Sequence, residues 1–193
     1  METVYDLEQH QKSPIRMKAI LAMSENRAIG LNGKIPWHVS ADFKWFKEFT
    51  MNKNLVVGNT TFMNLPPLKN RNIYFLHAPR SDNPAIVPTG DYGYYKNKHG
   101  TTAKRLWYFF EVVYGIKSID MFGTESMWKL DDPIIAGGAK TYEQFLPYIT
   151  EFYVTHIKGT YDADTYMIPF EHLYNKQEVV KEFDGHRVIK YTK

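Results

Sequence analysis

The chain contains no cysteine. That excludes disulfides, thiolate metal sites and cysteine nucleophiles, and it is compatible with a reducing compartment, so the cytoplasm is the expected location. No segment approaches the run of about 18 apolar residues that a membrane-spanning helix needs. The opening stretch METVYDLEQHQK is polar and acidic, without the apolar core of a signal peptide. A polybasic block is also missing, since the formal net charge of +3 is spread along the sequence. Neither nucleic acid nor a membrane is therefore an expected partner, and small anionic ligands suit the chain better. We find no internal repeat and no low-complexity segment, and no metal is expected.

What remains is enough for one domain with a full core: 193 residues, 44% of them hydrophobic. Residues 1–14 carry little apolar periodicity and end at Ser13-Pro14, which reads as a loosely attached extension to a domain spanning 15–193. Strands are predicted over 15–23, 55–57, 73–76, 134–136 and 152–157, and helices over 40–50, 60–65, 101–114 and 139–148. Strands alternating with helices imply an α/β fold with a largely parallel sheet. Residues 178–183 and 187–191, joined across Asp184-Gly185, add an antiparallel hairpin at the end.

Two strand-to-helix turns stand out. Leu55-Val56-Val57 runs into Gly58-Asn59-Thr60-Thr61, and Ile134-Ile135-Ala136 into Gly137-Gly138-Ala139-Lys140. In each, glycine lets the backbone approach a ligand, and the helix start offers N–H groups to an anion. One such turn occurs in many proteins without a ligand. Two in one sheet point to a dinucleotide lying across the strand ends, although the spacing is not the GxGxxG fingerprint.

Within IGLNGKIPWHVSADFKWFK, Ser40 offers an N-cap for the first helix and Asp42 falls in its first turn. At helical spacing Asp42 shares a face with Trp45, Phe46 and Phe49. An acidic residue in a first turn ordinarily offsets the helix dipole. A carboxylate on an aromatic stripe, however, has to be paired or functional.

Taken in order, the blocks AIGLNGKIPWHVSADFKWFKEFTMNK, LVVGNTTFMNLPPLKNR, IIAGGAKTYEQFLP, YVTHI and the later DADT resemble the dihydrofolate reductase family. Pro36-Trp37 ahead of Ala41-Asp42 is the most specific match. The resemblance implies a single domain with a central, mostly parallel twisted sheet, helices on both faces and a C-terminal antiparallel hairpin. It implies reduction of dihydrofolate to tetrahydrofolate with NADPH, serving one-carbon and thymidylate metabolism. Asp42 then matches the carboxylate that anchors the pterin, with its pKa raised by apolar surroundings. Trp37 matches the tryptophan that holds a water beside the substrate, and Thr155 the threonine that orients the carboxylate. Ile20, Ala22, Phe43, Phe46, Leu65 and Leu68 match substrate-lining positions, and Arg71 matches the arginine that grips the glutamate carboxylate. Residues 29–36 match the mobile loop over the nicotinamide, with Asn32-Gly33 as its turn. Ala22, Ile29 and Gly30 are placed beside the cofactor by the same resemblance. So are Gly58, Asn59, Thr60, Thr61, His77, Ala136, Gly137, Gly138, Ala139, Lys140 and Tyr142.

The chain departs from the family in places. Asn59 stands where an arginine usually meets the cofactor's 2′-phosphate, so NADH is not excluded; Lys140, His77 and Arg80 are the residues that could replace that charge. Ala136 replaces a branched aliphatic residue and implies a roomier site. Residues 91–132 are longer than the family pattern, and Trp107, Tyr108, Phe109 and Phe110 are too aromatic for one inward helical stripe. Extra core is the expected role of that segment, with a subunit contact as the alternative, and a monomer is the expected state. Two other functions compete: a folate- or nucleotide-binding scaffold without catalysis, and a pyrimidine reductase of riboflavin synthesis.

Overall fold

The computed structural model describes residues 17–76, 94–106 and 130–193, and the backbone alone at 87–88, 116–119 and 125–128. Strand β1 (Met17–Ser24) organises it, because its side chains alternate between two buried faces. Met17, Ala19, Leu21 and Met23 enter one cluster with Val56, Ile135, Tyr142 and Phe145. Ile20 packs on the opposite side with Leu55 and Ile134. A strand buried on both faces belongs at the centre of a sheet, and β1 lies parallel to β10 (Ile134–Ile135) on one side and β11 (Ile149–Ile157) on the other.

The main sheet runs in the order β13 (Lys176–Phe183), β14 (His186–Thr192), β11, β1, β10, β3 (Asn54–Gly58), β4 (Asn72–Leu76), β7 (Thr102–Leu106), β6 (Tyr94–Lys96) and β5 (Val87–Pro88). Pairings from β11 through to β7 are parallel, and those beyond them at either end are antiparallel. Two small pairs lie apart: β2 (Ala28–Gly30) with β12 (Thr165–Tyr166), and β8 (Ile116–Ile119) with β9 (Glu125–Trp128).

Helices cover both faces. Helix α1 (Ser40–Thr50) lays Trp45, Phe46 and Phe49 on the Ile20 side, and α3 (Ala139–Phe145) sends Tyr142 and Phe145 to the Met17 side. Helix α2 (Asn59–Asn64) packs Phe62 against Val57, Ile73 and Phe75. This is the α/β architecture expected from the sequence, with its C-terminal hairpin. The β13–β14 turn has positive φ at both Asp184 and Gly185, the conformation whose twist matches that of the flanking strands. Among the described residues no helix is long and apolar enough to cross a membrane.

Two local expectations fail. The predicted helix over 101–114 begins instead as strand β7, with Ala103 and Leu106 buried and Thr102 outward. Its Lys, Arg and Leu favour helix, but the open edge of β4 on one side and the β6 partner on the other satisfy the backbone more completely. Ser40 is not the cap of α1 but its first residue; Val39 occupies the cap position and no side chain caps the helix. The Ser40 hydroxyl faces His38 Nε2 at 3.4 Å instead. The expected extension at 1–14, the domain start at Ile15, and the aromatic run 107–110 lie outside the described residues.

Candidate active site

Asp42 is 6% exposed, against the aromatic side of α1, and burial raises its pKa above the ordinary 3.8. The Thr155 hydroxyl pulls the other way as a hydrogen-bonding neighbour, and His186 adds a weaker electrostatic pull in the same direction. Thr155 sits fully buried in β11, opposite Ala22 of β1. Among the described residues its Oγ1 makes no contact of full hydrogen-bond geometry. We read the pair as a hydroxyl standing beside the carboxylate, close enough to favour its charge without a formed bond. Trp37 is also buried, edge-on to Tyr161 with ring centres 5.2 Å apart, and packs with Ala22, Val39 and Ile157. Its indole Nε1, like Thr155 Oγ1, is buried without a partner among the described residues. An indole donor and a hydroxyl left unmatched by protein partners, the hydroxyl next to a desolvated carboxylate, amount to an unfavourable core and a usable binding site.

The apolar residues expected to line the substrate meet on the same side. Ile20, Phe46, Leu68 and Ala136 belong to one cluster, and Leu65 joins Leu68 and Ala136 in the next. Phe43 stands apart, 40% exposed and tilted against His38. Arg71 is tied down by three bonds: Nε donates to Thr50 Oγ1 at 3.2 Å, Nη1 to the Lys69 carbonyl at 2.6 Å and Nη2 to the Lys47 carbonyl at 2.9 Å. A guanidinium has five N–H groups, so one remains on each terminal nitrogen. Two free N–H groups are what a carboxylate needs for two hydrogen bonds.

The two glycine turns face each other at the ends of neighbouring strands. Gly58 N donates to the Gly137 carbonyl at 2.7 Å. A Cβ on Gly58 would stand 2.5 Å from Thr141 Oγ1, and one on Gly138 would stand 3.2 Å from Thr61 Oγ1. Each glycine thus admits the other turn's threonine, which holds the start of α2 against the start of α3. Thr60 and Lys140 are exposed there, and Ala139 is half-buried. Asn59 opens α2 with its Oδ1 buried and without a partner among the described residues. Tyr142 is buried, and its hydroxyl donates to the Ile20 carbonyl at 2.5 Å close to the second turn. His77 and Arg80 lie outside the described residues.

Sequence reading missed how the loop at 29–36 is held. Its tip is a two-residue turn, with Leu31 and Lys34 exchanging backbone bonds and positive φ at Asn32 and Gly33. Gly30 pairs with Thr165, Asp164 N donates to the Gly30 carbonyl at 3.1 Å, and Asn32 N donates to Asp164 Oδ2 at 2.6 Å. The Asn32 N–H is the main cause that holds the exposed Asp164 carboxyl below its usual pKa. A Cβ on Gly33 would collide with the Asn64 side chain, so the tip rests on the end of α2. The one sequence signal for this latch was Asp162-Ala163-Asp164-Thr165, where acidic residues beside threonine favour side-chain-to-backbone turns.

Comparison with known proteins agrees with this geometry. The sequence model of dihydrofolate reductase matches residues 16–85 and 110–192. The chain is 28% identical over 159 residues to the dihydrofolate reductase of Buchnera aphidicola subsp. Baizongia pistaciae, covering 82% of this chain and 81% of that protein. It is 29% identical over 161 residues to that of Mycoplasma pneumoniae, with 80% and 87% covered. Among solved structures it is similar to dihydrofolate reductase from Enterococcus faecalis complexed with NADP(H) and RAB-propyl, at a TM-score of 0.61 and 24% identity, over 93% of this chain and 98% of that one. The likeness in structure is one of fold, and the family match spans most of the sequence. The chain belongs to the dihydrofolate reductase family.

Proposed function

We propose that this chain reduces 7,8-dihydrofolate to 5,6,7,8-tetrahydrofolate with NADPH. The observation that carries the reading is the buried Asp42 carboxylate with the Thr155 hydroxyl as its neighbour, together with the buried, unmatched Trp37 Nε1 on a ring that packs with Ala22, the β1 residue opposite Thr155. Ionised Asp42 accepts two hydrogen bonds from the pterin, from N3 and from the 2-amino group, and so fixes the ring in one orientation. Thr155 limits rotation of the carboxylate, and the Trp37 indole N–H donates to a water at the substrate edge. Ile20, Phe46, Leu65 and Leu68 enclose the rest of the ring system and the aminobenzoyl group. The two remaining N–H groups of Arg71 take the glutamate carboxylate.

A bound NADPH would supply the hydride that, with a proton from solvent, turns dihydrofolate into tetrahydrofolate and leaves NADP+. The facing glycine turns suit its phosphates, with Thr60, Thr61 and Lys140 at hand. Backbone groups of Ala22 and Ile29 read the carboxamide. The 29–36 loop covers the site and excludes water. Every side chain in this account comes from a single chain, so no second copy is required.

Initial rates with dihydrofolate and either NADPH or NADH test the reading. Loss of absorbance at the reduced nicotinamide, faster with NADPH, is the expected result. Tight dihydrofolate binding with no turnover on either cofactor would sink it in favour of a non-catalytic scaffold.

A further inference from the structure

The family match stops at residue 85 and resumes at 110, and the described part of that gap is the short strand β5 and a β-hairpin, β6 and β7, seated on β4. Its turn contains a buried polar residue with every group in use. Asn97 is 5% exposed. Its Oδ1 accepts from the backbone N–H of His99 at 2.9 Å and of Thr101 at 3.0 Å, closing the turn. Its Nδ2 donates out of the hairpin, to the Phe62 carbonyl at 2.5 Å and the Leu65 carbonyl at 2.9 Å. Thr101, also buried, adds a bond from Oγ1 to the Leu65 carbonyl at 2.7 Å. The Leu65 carbonyl lies at the C-cap of α2, where the helix leaves acceptors unpaired, and the Phe62 carbonyl, in the last turn, accepts Asn97 as a second donor beside the Leu65 N–H at 3.2 Å. The hairpin therefore caps α2 from outside, across more than thirty residues of sequence.

What the cap holds is part of the site. Leu65 is its direct target, and Leu65 packs with Leu68 and Ala136, as does Ala103 of the hairpin itself. Asn64, between the two captured carbonyls, carries the side chain on which the Gly33 loop tip rests. A helix of six residues has little stability of its own, so its end takes the position that its partners give it.

We propose that Asn97 and Thr101 are positioning residues for dihydrofolate: through the α2 end they set the wall formed by Leu65 and Leu68, and they act on substrate affinity rather than on the hydride step. The inference rests on the reductase reading. It assigns the inserted hairpin a part in the site, in place of simple extra core.

Asn97→Asp is the decisive variant. It preserves shape and both acceptor bonds within the turn, but sets a carboxylate against two carbonyl oxygens and so releases α2 alone. Thr101→Val removes the second tie, and Thr101→Ser restores it. The measurements are dihydrofolate KM and kcat, Kd for NADPH, Tm, and hydrogen exchange over 62–69. Asn97→Asp should raise dihydrofolate KM by roughly tenfold and Thr101→Val by about threefold, in proportion to the hydrogen bonds each removes. Exchange over 62–69 should quicken, kcat and the NADPH Kd should stay within about twofold of wild type, and Thr101→Ser should recover most of the loss. A purely structural hairpin predicts a lower Tm with unchanged KM, and that result overturns the proposal. So does a failure of Thr101→Ser to recover KM. If wild-type protein neither binds nor reduces dihydrofolate, the reductase reading itself has failed, an outcome distinct from wild-type turnover with insensitive variants.

Discussion

Two aspartates, Asp42 and Asp164, differ in nearly every physical respect. Asp42, ahead of the sheet's buried centre, has lost water and gained only a hydroxyl and a distant imidazole, so its pKa rises. Asp164, at the loop, is fully exposed and accepts a backbone N–H, so its pKa falls. Burial penalises the charge at one; hydrogen bonding favours it at the other. The first arrangement holds a charge ready for a ligand that brings its own donors. The second uses a charge already satisfied by the protein, to hold a segment in place.

The largest test of that contrast is Asp42→Asn. The amide keeps the shape but can no longer accept two N–H bonds, so kcat/KM for dihydrofolate should fall by about a hundredfold or more at pH 7. Stability should move the opposite way. Because burial raises the folded-state pKa above 3.8, the folded protein holds the proton more tightly than the unfolded chain between those values, and stability falls as pH rises through that window. A neutral amide at this position carries no such cost. The variant should melt above wild type at pH 7.5, and the gap should shrink as pH falls toward 3.8. A lower Tm at neutral pH would mean that the protein itself satisfies the Asp42 charge, leaving no reason to assign it to a ligand.

Arg71→Lys should produce an intermediate effect. Lysine offers three donors from one nitrogen and cannot hold Thr50, two carbonyls and a bidentate carboxylate together. Dihydrofolate KM should rise by roughly tenfold, about 1.4 kcal/mol, while kcat/KM for a dihydropterin without the glutamate tail should not change. Equal losses on both substrates would reduce Arg71 to a brace between α1 and β4.

Asp42 and the glycine turns were legible because their signals are local, whereas Arg71 was picked out only by the family resemblance. Asp42 with Trp45, Phe46 and Phe49 is a helical stripe, and each glycine turn is contiguous with its strand. The central strands were legible for the same reason, as short apolar runs that the sheet buries on both faces. Apart from the Ser40 cap, lost to a neighbour two residues away, what failed or was missed depends on remote partners. Strand β7 forms because β4 leaves an edge open, which overrides the helical preference of Lys104, Arg105 and Leu106. Asn97 looks like any turn asparagine until Leu65 is beside it. The Asn32–Asp164 bond joins residues 132 apart through a backbone N–H that leaves no trace in side-chain identity.

That bond gives the smallest expected effect and the cleanest test of the exposed aspartate. Asp164→Ala removes the acceptor from Asn32 N, but β2 and β12 still pair through Gly30 and Thr165, and the Leu31–Lys34 turn closes itself. The loop should therefore keep its shape and lose part of its anchoring. With the carboxylate fully exposed, Tm should stay close to wild type, whereas kcat should fall a fewfold because closure over the site becomes less favourable. Asp164→Asn keeps one oxygen acceptor without the charge and should fall between the two. In the wild type, the lowered pKa keeps the latch charged at neutral pH, and its contribution should be lost only as pH falls through that depressed value. If Asp164→Ala instead matched Asp42→Asn in its loss of kcat/KM, the division of labour between the two carboxylates would collapse, and Asp164 would belong to the binding machinery itself.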